Sequence, residues 1–258
     1  MLEQEVVDMK RIGQMALVCA AIVVSGCSTM QGASSTTEAS AAPTTTASHP
    51  SSTTASPMTL RDGSLSAGIY AATPFAEEPT ICVPSQTGCI DPVGADSIRF
   101  TFSMPDGWAS IMGTILLGQN APPGGAGLAF NLGGWLYNDP CRHDEASADV
   151  PVGLTADDFA TALADNPLLE VTTPVDVTLG GYSGKYLDLQ VPSDISECDA
   201  YQAWEYWLRA QGPGHRWHLW ILDVDGVRVV VESMDYEGTS AEVQAELEAI
   251  VDSIQIEP

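Results

Sequence analysis

The chain has 258 residues, 34 acidic against 9 basic side chains, a formal net charge of -25, and six cysteines. This balance excludes nucleic acid as a partner, because phosphate binding needs clustered Lys and Arg to displace condensed counterions, and it opposes docking on anionic head groups. With 45 % hydrophobic residues, and with a compositionally distinct first quarter set aside, the expectation is one folded unit of about 200 residues.

Lys10-Arg11 precedes Ile12 to Val24, an apolar run broken only by Gly13 and Gln14, and Ser25-Gly26-Cys27 follows. A basic n-region, an h-region and small residues at a cleavage site make residues 1–26 a signal peptide. The apolar run of about 13 residues is shorter than the stretch of about 20 that a spanning helix requires. Val24-Ser25-Gly26-Cys27 resembles the bacterial lipobox, in which the Cys thiol is diacylated and the chain is cut just before it. That resemblance implies lipidation at Cys27 and anchoring through a diacylglyceryl group on the outer face of the cytoplasmic membrane. Two acyl chains anchor stably where one is marginal. Glu3, Glu5 and Asp8 sit badly in an n-region, so translation is expected to start at Met9.

From Cys27 to residue 58 the composition collapses to Ser, Thr, Ala, Pro and Gly, with Glu38 the only charge. Such a segment buries too little surface to offset its ordering entropy and is expected to be a disordered tether. The globular domain is then 59–258.

Leu65 to Ala71 reads as a short strand. In Ile98-Arg99-Phe100-Thr101-Phe102 the alternation puts Ile98, Phe100 and Phe102 on one face, and Pro105-Asp106-Gly107 ends that strand. The Gly-rich tract Ile111 to Trp135 holds two candidate strands separated by Pro122-Pro123-Gly124-Gly125. Thr155 is an N-cap signal before a helix over Ala156 to Asp165, stopped by Asn166-Pro167. Val171 to Leu179 and Tyr182 to Val191 are strands joined by Gly180-Gly181. Trp204 to Ala210 and His215 to Val224 flank Gln211-Gly212-Pro213-Gly214 as an expected hairpin, and Asp225-Gly226 turns the chain again into Arg228 to Glu232. Thr239 or Ser240 caps a last helix with Val243, Leu247, Ile250, Val251 and Ile254 at helical spacing. The fold class expected is α+β: a mainly antiparallel sheet with the helices packed on one face.

Cys19 falls in the leader and Cys27 takes the lipid, which leaves Cys82, Cys89, Cys141 and Cys198 for an oxidising compartment. Three pairings are open; the favoured one joins Cys82 with Cys89 and Cys141 with Cys198.

Catalytic motifs are sparse. His143, His215 and His218 with Asp144 or Glu145 form a conceivable metal set, but residues three apart on a strand face opposite ways, so His215 and His218 would not converge. Gly180-Gly181-Tyr182-Ser183-Gly184-Lys185 has neither nucleophile-elbow nor P-loop spacing, and Asp223-Val224-Asp225-Gly226 lacks the twelfth-position Glu of a calcium loop. No cofactor or metal is expected. The aromatic group Tyr201, Trp204, Tyr206, Trp207, Trp217 and Trp220 has two readings. Its members either fill the core, or some of them, Trp204, Trp207, Trp217 and Trp220, line a ligand surface.

Several stretches resemble a family of actinobacterial exported lipoproteins of unassigned function: Phe102-Ser-Met-Pro-Asp-Gly-Trp108, Asn138-Asp-Pro-Cys141, Asp176-Val-Thr-Leu-Gly-Gly-Tyr-Ser-Gly-Lys-Tyr186, Leu219-Trp-Ile-Leu-Asp-Val-Asp-Gly226 and Ile250-Val-Asp-Ser-Ile254. The first and last of these are also similar to the PsbP-like fold found in mycobacterial lipoproteins of the LpqN type. The resemblance implies that fold from about residue 65 onward and carries no catalytic motif. The leading reading is a non-enzymatic lipoprotein that binds a small ligand or an envelope protein between its sheet and a helix. An extracytoplasmic hydrolase or metal-dependent enzyme using His143 or His215, and a structural envelope component, are the alternatives.

Overall fold

The computed structural model describes residues 56–76, 81–82, 89–90, 92–111, 115–118, 124–142, 152–204 and 209–258, without the side chains of 81–82, 89–90 and 115–118. The chain divides into two units, Met1–Ser51 and Ser52–Pro258, and every described residue belongs to the second. The signal peptide, Cys27, most of the tether, His143 and Trp207 therefore lie outside the described residues.

The elements in chain order begin with β1 (Met58–Thr59), β2 (Gly63–Ser64), β3 (Gly68–Ala72), β4 (Ile81–Cys82), β5 (Cys89–Ile90), β6 (Arg99–Met104), β7 (Trp108–Ile111), β8 (Ile115–Gly118) and β9 (Ala126–Asn131). There follow α1 (Ala156–Asp165), β10 (Glu170–Val171), β11 (Val175–Leu179), β12 (Tyr182–Gln190), β13 (His215–Val224), β14 (Val227–Tyr236), α2 (Ala241–Asp252) and β15 (Gln255–Glu257). A nine-stranded sheet runs β10-β12-β13-β14-β9-β8-β7-β2, with β11 also against β12. A four-stranded sheet runs β1-β3-β6-β15, and β4 pairs with β5 alone. Pairing is antiparallel except between β1 and β3, so the class is α+β with mainly antiparallel sheets.

Strand alternation sorts the side chains into two cores. Val229 and Val231 of β14 join Leu128 and Phe130 of β9 beneath the four-stranded sheet and α2, where Phe130 meets Phe100 at 4.3 Å and Phe102 at 5.7 Å between ring centroids. Val230 and Met234 point the other way, into a core with Phe159, Ala160 and Leu163 of α1. The two helices consequently cover opposite faces of the large sheet, which corrects the expectation that they pack on one face. The reason is that all ten residues of β14 are buried, so its apolar run needs a cover on both sides.

Asp225 and Gly226 take φ of 49° and 88°, the left-handed pair a two-residue type I′ turn requires, and set Val224 opposite Val227. A hairpin of Trp204 to Ala210 with β13 is expected from the sequence, but none of its described residues, Trp204, Arg209 and Ala210, pairs with β13. A strand has two edges, and those of β13 are taken by β12 over 216–222 and by β14 along its whole length. Trp204 instead makes an isolated bridge to Leu136.

The α1 start follows from its sequence. Thr155 Oγ1 accepts from the Asp158 amide and the Asp158 carboxylate accepts from the Thr155 amide, each at 3.1 Å, a capping box that satisfies two backbone donors. Asn166 ends the helix, its side chain accepting from the Leu168 amide at 2.9 Å. Thr155→Ala is expected to cost about 1 kcal/mol, seen as a drop of about 2–4 °C in the melting midpoint; an unchanged midpoint would mean that packing alone holds the first turn. Ser240 caps α2 by accepting from the Val243 amide. Cys141 and Cys198 are disulfide-bonded, with Cα atoms 4.4 Å apart. Cys82 stands opposite Cys89 in the β4–β5 register, and their side chains are outside the described residues.

Candidate functional site

Three antiparallel strands place polar residues in facing rows. The register sets Tyr186 opposite Trp220, Asp188 opposite His218, His218 opposite Ser233, and Arg216 opposite Asp235. Residues two apart share a face, so Arg216, His218 and Trp220 stand side by side on β13, while His215 and Trp217 point into the α1 core.

Directly opposed side chains can interact strongly, and these do. His218 Nδ1 lies 2.6 Å from Asp188 Oδ1 and His218 Nε2 lies 3.5 Å from Asp235 Oδ1. The Tyr186 hydroxyl donates to the same Asp188 oxygen at 2.5 Å. Arg216 donates to both Asp235 oxygens at 2.7 Å and to the Tyr236 carbonyl at 3.1 Å. Burial works against a charged imidazole, but the carboxylates of Asp235 and Asp188 outweigh it and raise the His218 pKa. With a carboxylate at each ring nitrogen, the doubly protonated ring is the form that donates to both. Burial likewise opposes charge on Asp235, yet His218 and Arg216 hold its pKa below the ordinary value. Burial and then the Asp188 carboxylate push the Tyr186 pKa up, which keeps the phenol protonated.

The second wall is α2, whose Gln244, Leu247, Glu248, Val251 and Asp252 recur at the three- and four-residue spacing of one helix face. Gln244 donates to Asp235 Oδ2 at 3.0 Å and ties the helix to the network. Between sheet and helix lies a cleft of about 430 Å³. A neighbouring hollow of about 450 Å³, lined by Glu170, Thr172 and Gln190 among others, shares Arg216 and His218 with it.

The aromatic quartet named from the sequence is divided. Trp204 and Trp217 are buried in the α1 core, with ring centroids 5.5 Å apart. Of the three described, Trp220 reaches the cleft, packed on Tyr186 at 4.9 Å; Trp207 lies outside the described residues. His215 is 1 % exposed and stacked on Tyr236 at 4.4 Å; burial lowers its pKa to about 4. Among the described residues, the side-chain nitrogens or oxygens of Tyr201, Trp204, His215 and Trp217 include buried atoms with no hydrogen-bond partner. No three His, Cys, Asp or Glu among them are grouped to hold a metal ion, and no described helix is long and apolar enough to cross a membrane.

Sequence reading missed Tyr186, Asp188, Arg216 and Asp235 as site residues. The available signal was the alternation in Lys185-Tyr186-Leu187-Asp188-Leu189-Gln190, which places Tyr186, Asp188 and Gln190 on one face of β12. Neither a family model nor a curated protein matches the chain.

Proposed function

We propose that the chain is a membrane-anchored extracytoplasmic lipoprotein and a non-enzymatic binding module, its ligand entering the cleft between β12–β14 and α2. The observation that carries this reading is the state of the polar network. Both nitrogens of His218 face carboxylates, Arg216 is held by Asp235, and Tyr186 stays a protonated donor. A general base needs a free nitrogen near neutral pH and a nucleophile needs activation, whereas these groups are mutually satisfied and form a fixed lining. Of the two histidines the hydrolase reading names, His215 is buried away from the cleft and His143 lies outside the described residues.

The Cys141–Cys198 disulfide suits an oxidising compartment. The facing backbone of Cys82 and Cys89 is consistent with a second bond. The lipobox-like Val24-Ser25-Gly26-Cys27 supports a diacylglyceryl anchor at Cys27 on the outer face of the cytoplasmic membrane. The PsbP-like resemblance belongs to the same reading, since it too implies an antiparallel sheet with helical cover.

Two measurements test the proposal. Cells fed labelled palmitate are expected to label the wild-type protein and not Cys27→Ser; an unlabelled wild-type protein would remove the anchor. In amide NMR of the detergent-solubilised protein, a small-fragment screen is expected to move signals of Tyr186, His218 and Trp220 together. Shifts confined to other regions would remove the cleft as the binding site.

A further inference from the structure

We propose that the cleft recognises a compact organic cation, an ammonium or guanidinium group, seated between the Tyr186–Trp220 aromatic pair and the carboxylates of Glu248 and Asp252. This inference rests on the cleft being the binding site and names the class of ligand it takes.

The charges lining the cleft do not cancel. Arg216 and His218 are already paired with Asp235 and Asp188. Glu248 and Asp252 remain, and no described residue forms an ion pair with either. They lie one helical turn apart on α2, both lining the cleft, so the space in front of them carries uncompensated negative potential. An anionic ligand meets the opposite situation, because Arg216 is occupied by both Asp235 oxygens and by the Tyr236 carbonyl. The overall charge of -25 further concentrates cations around the protein.

Two other features point to a ligand. Tyr186 and Trp220 pack with ring centroids 4.9 Å apart in the cleft wall, and an aromatic face attracts a cation held within about 6 Å of its centre. Ser233 is 3 % exposed and lines the cleft. No hydrogen bond to its hydroxyl is seen among the described residues, and since that oxygen is not one of the sealed unpartnered atoms it opens to the cleft, where a ligand can bond to it. Leu247 and Val251 on the facing helix give an apolar surface to the ligand's carbon atoms. A volume of about 430 Å³ falls at the small end of ligand pockets, which suits a metabolite-sized amine rather than a polymer segment.

The test is calorimetric titration of the full-length protein in detergent with choline, with agmatine, and with the uncharged analogue of choline in which carbon replaces the ammonium nitrogen. At least one cation is expected to bind, with the uncharged analogue at least about tenfold weaker. The exposed-residue variant Glu248→Gln/Asp252→Asn is expected to lose at least about tenfold in cation affinity with an unchanged melting midpoint, and Trp220→Leu is expected to weaken binding as well. Failure of both cations to bind at millimolar concentration overturns the inference, as does undiminished binding in the Glu248→Gln/Asp252→Asn variant. Equal binding of the uncharged analogue, lost in Trp220→Leu, removes the cation class and keeps the cleft as the site; loss of the site itself is read from the fragment mapping described above.

Discussion

Gly184→Ala is expected to lower the melting midpoint of the domain by roughly 5–10 °C or to prevent folding. Gly184 lies in β12 opposite Leu222 of β13, and a Cβ built there comes 1.9 Å from the Ile221 carbonyl oxygen and 2.8 Å from its carbon. The obstacle is backbone, so no rotamer change relieves it. The strands must separate, and the pairing that aligns Tyr186 and Asp188 with Trp220 and His218 is lost with them. Overpacking of this kind costs about 1–3 kcal/mol and more when backbone must move, and in a domain of about 200 residues each kcal/mol shifts the midpoint by about 2–4 °C. Ser183→Ala, at the exposed neighbouring position, is the control and is expected to leave the midpoint in place. Thermal unfolding followed by circular dichroism decides it; a Gly184→Ala midpoint within a degree of wild type would show that the two strands can part at little cost.

Glu232→Gln is expected to stabilise the protein at neutral and alkaline pH and to remove a stability loss that the wild type suffers as pH rises. Glu232 faces the α1 core between Ala129 and Leu219, is 1 % exposed, and accepts one hydrogen bond from Asn131 at 3.2 Å. Burial, only partly opposed by that bond, raises its pKa from 4.5 to about 8. Between those values the folded protein keeps a proton that the unfolded chain has released, so stability falls as pH rises through this window. The loss levels off above the folded pKa. At about 1.4 kcal/mol per pH unit, the cost reaches roughly 3 kcal/mol at pH 7.

Other groups titrate nearby. His215, lowered to about 4, adds stability as pH rises from there to the ordinary histidine range. His218, raised by its carboxylates, contributes stability at low pH that is lost as pH passes its folded pKa. The difference between wild type and Glu232→Gln isolates the one carboxyl. Urea unfolding at pH 5 and at pH 8 is expected to show the variant gaining relative to wild type by a few kcal/mol between the two; a pH-independent difference would mean that Glu232 is already ionised in the fold.

Much of the fold was legible wherever the determining signal is local. The N-cap signal of Thr155 gave the start of α1, and Asp225-Gly226 gave the two-residue turn between β13 and β14. The alternation around Phe100 gave β6 with its buried face. Errors arose where a local signal competed with a distant one. Gly212-Pro213-Gly214 does punctuate the chain, but β12 and β14 claim both edges of β13, and no turn chemistry can reveal that. The opposite placement of the helices was signalled by the unbroken apolar character of Val229-Val230-Val231, which only a strand covered on both faces needs. The candidate site was legible least, because Asp188, His218 and Asp235 come from three strands and meet only through register. Polar residues alternating with apolar ones read as a solvated face until a second element, here α2, is known to stand over them.

The pairing of β15 with β6 bears on how the protein is made. Ser253, just before β15, caps the Ser103 amide from 150 positions along the chain, and Ile254 and Ile256 complete the core beneath the four-stranded sheet. Any nascent or truncated chain that stops before residue 255 must leave that edge unpaired and its underlying apolar surface wet. Contacts so remote in sequence form late, so a growing polypeptide stays unlatched until its β15 segment has been made. That delay leaves proteases a window that closes only when β15 docks.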